Sequence, residues 1–155
     1  MGAVAREDSL RIYETNDKRA HMRLLLLADE QENMIERYLD DGVMYVIDDG
    51  GVKAEAVVTD AGDGVLEIKS LATLPEFRGR GYGRALIEHI CAEHRGAYRI
   101  VQVGTGDSPL TVPFYEKCGF LRSHVVKNFF TDNYDHPIVE CGVTLKDMIY
   151  LVRRL

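Results

Sequence analysis

Arg78-Gly79-Arg80-Gly81-Tyr82-Gly83-Arg84 is the stretch on which the reading of this chain turns. An apolar segment of strand character, Val65 to Leu74, precedes it. An amphipathic segment, roughly Gly83 to His94, follows, with Leu86, Ile87, Ile90 and Cys91 at helical spacing. Three glycines let the backbone turn tightly and come close to a ligand with no Cβ in the way. The first turn of a helix leaves N–H groups unpaired, and its dipole favours negative charge. With three arginines in or beside the same loop, the stretch predicts a cradle for phosphate, a pyrophosphate above all.

Two other phosphate loops fail on these letters. A P-loop needs Gly-Lys-Ser or Gly-Lys-Thr, and the chain has neither. A Rossmann turn needs G-x-G-x-x-G, whereas Gly79, Gly81 and Gly83 are spaced G-x-G-x-G and position 84 is Arg. The next strand, Tyr98 to Val103, runs into Gly104-Thr105-Gly106 and lacks the acid that would close on a ribose.

Outward from the loop the chain alternates strands and helices. Leu10 to Glu14 reads as a strand, and Asn16 or Asp17 caps a helix to about Leu27. Glu30 to Leu39 continues as a helix, with Met34, Ile35, Tyr38 and Leu39 on one face. Val43 to Ile47 and Val52 to Val58 are strands joined by the hairpin signal Asp48-Asp49-Gly50-Gly51. Gly62-Asp63-Gly64 turns the chain into Val65 to Leu74. Beyond Val103 come a loop, a short helix from about Leu110 to Lys117 with Pro113 near its start, and closing strands Leu121 to Phe130 and Met148 to Arg153. Thr131 to Gly142 is long and aromatic for a connection, which suits a functional loop. The order predicts one α/β domain over residues 1–155 with a mixed sheet.

Size and charge narrow the function. A chain of 155 residues buries about 70% of its unfolded surface and needs no disulfide or metal to fold. No apolar run approaches the ~18 residues of a membrane span, and Met1 to Asp8 has no apolar core of a signal peptide. Cys91, Cys118 and Cys141 are an odd number without C-x-x-C spacing, which points to a reducing, cytoplasmic setting. The five histidines show no metal-ligand spacing, so no metal is expected, and His89 and His94 read as surface residues. A net charge of −6 disfavours nucleic acid, while the arginines gathered at 78–84 suit a small polyanion.

Two motifs carry a resemblance. Arg78-x-x-Gly81-x-Gly83 matches [Q/R]-x-x-G-x-[G/A], and Phe114-Tyr115-Glu116-Lys117-Cys118-Gly119-Phe120 matches aromatic-Tyr-x-Lys-x-Gly-Phe, about 35 residues on. Residues 65 to 121 thereby resemble the GNAT superfamily of acetyl-CoA-dependent N-acetyltransferases. The tail, with Phe129-Phe130, Tyr134, Pro137-Ile138 and Asp147-Met148, resembles a bacterial subgroup whose members mostly lack an assigned substrate. The resemblance implies a mostly antiparallel sheet of six to seven strands, about four flanking helices, and a V-shaped splay between the fourth and fifth strands. It implies acetyl-CoA in that V as cosubstrate. The acceptor is a primary amine of a small molecule or peptide, attacking directly in a ternary complex. A homodimer is compatible with it, and neither nucleic acid nor membrane is expected. A non-catalytic acyl-CoA sensor on the same fold is the other reading.

The resemblance also assigns residues. Arg78, Gly79, Arg80, Gly81, Tyr82, Gly83 and Arg84 hold the pyrophosphate, and the backbone of Leu71, Ala72 and Thr73 pairs with the pantetheine arm. The Leu71 N–H is the oxyanion donor, and Tyr115 hydrogen-bonds the cofactor sulfur. An alkylammonium has a pKa of about 10.4, so a base is useful at neutral pH. Period-two alternation puts Glu67, Lys69 and Leu71 on one face. Glu67 then either removes the proton, directly or through water, or pairs with Lys69 at the cleft rim. Where the family often has an Asn that contacts the cofactor arm, this chain has Ser108. Phe130, Tyr134 and Glu140, with Asp132 and Asp135 nearby, either receive a cationic amine or form a solvated loop over an aromatic core.

Overall fold

The computed structural model describes residues 10–155, so the reading of Met1 to Asp8 lies outside it. Seven strands make one sheet: β1 (Leu10–Thr15), β2 (Val43–Asp49), β3 (Val52–Gly62), β4 (Val65–Thr73), β5 (Ile100–Gly106), β6 (Leu121–Val126) and the last strand, β9 (Met148–Arg154). Between the last two, β7 (Val139–Glu140) and β8 (Val143–Thr144) form a separate hairpin. The order across the sheet is β1-β2-β3-β4-β5-β9-β6, and only β4 and β5 run parallel. The helices among the described residues are α1 (Met22–Ala28), α2 (Glu32–Glu36), α3 (Tyr82–His94), α4 (Val112–Lys117) and α5 (Phe129–Asn133). The mixed, mostly antiparallel architecture is the expected one, with one helix more.

Strand alternation explains why both sheet faces are covered. In β2, Met44 and Val46 join Leu25 of α1 and Ile35 of α2 on one face. Tyr45 and Ile47 face the other way and pack with Leu86, Ile87 and Ile90 of α3. Leu86 has no exposed surface. Leu86→Ala is expected to cost about 2–5 kcal/mol of stability, read as a lower denaturation midpoint with an unchanged slope.

The splay arises from a short ladder and a bulge. β4 pairs with β5 only from Val65 opposite Ile100 to Ile68 opposite Val103, yet β4 runs on to Thr73 and β5 to Gly106. On its other edge β4 meets β3 with Val57 opposite Ser70 and Val58 opposite Ile68, so Lys69 is an extra residue. A bulge bends its strand and sharpens the twist, here where the two parallel strands part.

Several sequence boundaries move. Helix character between 30 and 39 is confined to Glu32–Glu36. The expected strand to Phe130 stops at Val126, because Asn128 takes φ +58° and the chain turns into α5. The expected loop 131–142 holds the end of α5 and the strand β7, which turns through Cys141 (φ +50°) and Gly142 (φ +76°) into β8. His89 and His94 are half-buried, not surface residues: the His89 ring meets Tyr45 edge-on with centroids 5.2 Å apart, and His94 Nε2 lies 3.0 Å from the Tyr45 hydroxyl.

Candidate active site

The glycine loop takes a shape that side chains resist. Gly79 and Gly81 have φ of +79° and +85°, and Gly81 caps α3 in the left-handed region. That conformation costs a residue with a Cβ about 1–2 kcal/mol. The helical hydrogen bonds begin with the Ala85 N–H donating to the Gly81 carbonyl at 3.0 Å. The amides of Tyr82, Gly83 and Arg84 therefore have no intrahelical acceptor and point at whatever sits beyond the helix end. A Cβ on Gly83 would lie 3.2 Å from Phe114 Cζ, so glycine here lets α3 approach α4. The Tyr82 hydroxyl donates to Asp49 Oδ2 at 2.6 Å, fastening the loop to the end of β2.

The loop opens on a cavity of about 440 Å³ that occupies the gap between β4 and β5. Leu71, Ala72 and Thr73 form one wall, and Gly104, Thr105 and Tyr115 stand opposite. Arg78 and Arg84 face into it. Arg80 does not line it, and its guanidinium stacks 5.1 Å above the Phe77 ring. Ser108 is buried with Oγ accepting from the Leu110 and Thr111 N–H groups at 3.2 and 3.4 Å. It shapes the turn into α4 and lies outside the cleft wall, where Thr111 stands.

Tyr115 is pinned by aromatic neighbours. Phe114 and Phe120 contact its ring edge-on, with centroids 5.1 and 5.7 Å away. Burial, chiefly, pushes its phenol pKa well above the ordinary value, with the nearby Cys118, Glu55 and Glu140 acting in the same direction. The hydroxyl therefore stays protonated throughout the neutral range.

The bulge overturns the expected alternation in β4. Leu66 and Ile68 pack in the α3 core and Leu71 against it, so Glu67 points to the opposite face from Leu71. There Lys69 Nζ donates to Glu67 Oε2 at 2.8 Å and Gln102 Nε2 donates to Oε1 at 2.5 Å. Both carboxylate oxygens are engaged, and Glu67 does not line the cleft while Lys69 and Ser70 do.

Known proteins share this fold. A family model described as an acetyltransferase (GNAT) domain matches residues 40–122. The uncharacterised N-acetyltransferase YvbK of Bacillus subtilis strain 168 is 32% identical over 142 residues, 89% of this chain and 90% of that protein. The chain belongs to the GNAT acetyltransferase family. A GNAT acetyltransferase from Elizabethkingia anophelis, solved with acetyl-CoA bound, superposes on this acetyltransferase with a TM-score of 0.88 at 32% identity, covering 96% of this chain and 99% of the other. An IAA acetyltransferase from Bacillus cereus ATCC 14579 gives 0.89 at 31% identity over 95% and 100% of the two chains.

The cleft of this GNAT acetyltransferase also gathers groups from distant segments. Leu27 and Ala28 of α1 and Glu140 of β7 line it. Phe130 and Tyr134 do not reach it and instead wall a separate hollow of about 310 Å³ with His136 and Ile138. The Tyr134 ring stacks on Phe130, and its hydroxyl donates to Asp29 Oδ1 at 2.9 Å. Burial raises the pKa of Asp29, against the effect of that hydrogen bond. The aromatic pair thus braces Asp29, which directly follows the cleft-lining Leu27 and Ala28 of α1. Among the described residues no group of three or more His, Cys, Asp or Glu is arranged to hold a metal, and no helix is long and apolar enough to cross a membrane.

One acid here escaped the sequence reading. Glu55 of β3 is wholly buried, and Ser70 Oγ donates to its Oε2 at 2.7 Å. In Lys53-Ala54-Glu55-Ala56 the alternation marks Lys53 and Glu55 as a solvent face. That face is instead covered by α1 and α2, which a strand's own letters do not reveal. Thr105 and Thr111 of the cleft wall were missed as well, since short polar residues carry no signal of direction.

Proposed function

We propose that this acetyltransferase moves the acetyl group of acetyl-CoA to a primary amine of a small molecule or peptide, by direct attack within a ternary complex. The observation that carries the reading is that the glycine loop, the unpaired edge of β4 and Tyr115 all open on one cleft between diverging strands. The relative named as an N-acetyltransferase and the neighbour solved with acetyl-CoA support the transferred group and the donor.

The residues fit the cosubstrate. Amides from Gly79 to Arg84, with the Arg78 and Arg84 side chains, match a pyrophosphate in charge and donor number. Leu71, Ala72 and Thr73 offer peptide groups to the amide-containing pantetheine arm. In this reading the Leu71 N–H donates to the oxyanion of the tetrahedral intermediate, a contact worth ~10²–10³ in rate. The Tyr115 hydroxyl donates to the sulfur as the carbon–sulfur bond breaks, and the attacking nitrogen's lone pair forms the new carbon–nitrogen bond. The free thiols of Cys91, Cys118 and Cys141 support work in a reducing cytoplasm.

Thiol release from acetyl-CoA, followed with spermidine, glucosamine, alanine amide and a peptide with a free N-terminus, tests the reading. Release that depends on one of these amines is expected, and none with any amine contradicts it.

Glu67 enters this picture as the partner of Lys69. Removing its charge in Glu67→Gln leaves the Lys69 ammonium uncompensated beside the incoming cation. KM for the amine is expected to rise about tenfold, with a smaller fall in kcat, in steady-state assays at fixed acetyl-CoA.

A further inference from the structure

The acceptor reaches the cleft as an ammonium, and it must lose a proton before its nitrogen can attack. Glu67 is badly placed for that task, being held on both oxygens by Lys69 and Gln102. A second carboxyl lies on the same side of the sheet. Glu55 has no exposed surface, its Oε2 accepts from Ser70 Oγ, and its Oε1 has no hydrogen-bond partner among the described residues. Ser70 is the group between Glu55 and the cleft, whose wall it forms. The Tyr38 hydroxyl, also buried, belongs to the same cluster, close enough to Ser70 and Glu55 to feel both, and Lys69 Nζ sits 5.9 Å above the Tyr38 ring.

We infer that Ser70 and Glu55 form a relay that takes the proton from the acceptor ammonium. The inference rests on the reading of the cleft as an amine acetyltransferase site. One nitrogen–hydrogen bond of the ammonium breaks as its proton passes to Ser70 Oγ, and the Ser70 hydroxyl proton passes to Glu55 Oε2. The amine is left neutral with its lone pair free, and Glu55 is left as the neutral acid until it loses the proton to solvent between turnovers. Ser70 touches the amine; Glu55 acts through it as the positioning and accepting group.

The chemistry favours Glu55 for this work. Burial pushes its pKa up to about 8, opposed by the Ser70 hydrogen bond. Transfer from an ammonium of about 10.4 is then far less uphill than to an ordinary carboxylate of about 4.3. The ionisable groups that feel its charge are Tyr38 near α2 and Tyr115 of α4, with Asp29 and Lys69 beyond it against Tyr38. Both tyrosines are themselves raised, burial being the first cause in each case, so neither titrates near neutrality. A carboxyl with a raised pKa is the base only above it, so activity rises with pH through that value. Stability runs the other way: the folded state favours the protonated form, and that advantage fades between the ordinary carboxylate range and about 8.

The test is the pH dependence of kcat/KM for wild type, Glu55→Gln, Ser70→Ala, Ser70→Thr and Glu67→Gln, using acetyl-CoA and the panel amine that wild type acetylates. Wild type is expected to show a rising limb that bends near pH 8. Glu55→Gln and Ser70→Ala lose ~10²-fold at pH 7.5 and lose the bend, while Ser70→Thr, which keeps the hydroxyl, retains it. Glu55→Gln, having no buried acid to ionise, melts at or above wild type at pH 8, which separates loss of the relay from loss of the fold. A Glu55→Gln enzyme that keeps both rate and bend overturns the relay, as does loss of the bend in Glu67→Gln alone. A wild type that binds CoA in calorimetry yet turns over no amine overturns instead the reading on which the relay rests.

Discussion

Tyr115→Phe is expected to lower kcat ~10²-fold while leaving KM for acetyl-CoA nearly unchanged. The substitution removes one oxygen and keeps the ring that Phe114 and Phe120 hold edge-on, so the fold and the cleft wall survive. What is lost is a donor kept protonated by burial. A CoA thiol has a pKa of about 8.5, so the departing sulfur carries charge at neutral pH. A hydrogen bond to it forms fully only as the carbon–sulfur bond breaks, and an interaction made only there appears in kcat. Steady-state kinetics with a melting curve on the same sample checks this. A fall in kcat below threefold, with the fold intact, removes Tyr115 from the reaction.

Arg84→Glu and Gly81→Val are expected to weaken CoA binding by more than ~100-fold, for different reasons. Arg84 faces the cleft from the first turn of α3, and charge reversal there swings the local charge by two units beside an anion. Gly81 holds the chain at φ +85°, which valine resists, so the amides before Ala85 lose their common aim. The arginine variant loses affinity through field and the glycine variant through geometry. Raising salt is therefore expected to narrow the gap between wild type and Arg84→Glu more than that between wild type and Gly81→Val. Titration calorimetry at two ionic strengths reads both effects.

The fold was legible in the sequence where residues act locally. Val43 to Ile47 alternates between two buried faces, Leu86, Ile87, Ile90 and Cys91 mark the core side of α3, and the glycine loop announces its own left-handed turns. Reading failed where a distant segment decides. Phe129 and Phe130 suit a strand by propensity, but the Phe130 N–H donates to the Lys146 carbonyl at 3.0 Å and Asn128 has already left extended geometry. The bulge at Lys69 comes from the register against β3, which β4's own letters do not contain, and it alone turned Glu67 away from Leu71. Ser108 stands where the family often has an Asn that contacts the cofactor arm, and it spends its oxygen on backbone amides instead. Of the three residues offered for the acceptor, only Glu140 reaches the cleft, because the loop folds back on Asp29 through Tyr134.

The central claim, that the arginine-flanked glycine turn grips the diphosphate of CoA, is tested most directly by calorimetry of the purified chain with CoA and with pantetheine, which lacks the diphosphate. The account predicts one-to-one binding of CoA with a Kd on the order of 1–100 μM and binding of pantetheine at least ~100-fold weaker. Equal affinity for the two, or no heat with CoA at millimolar concentration, would contradict it.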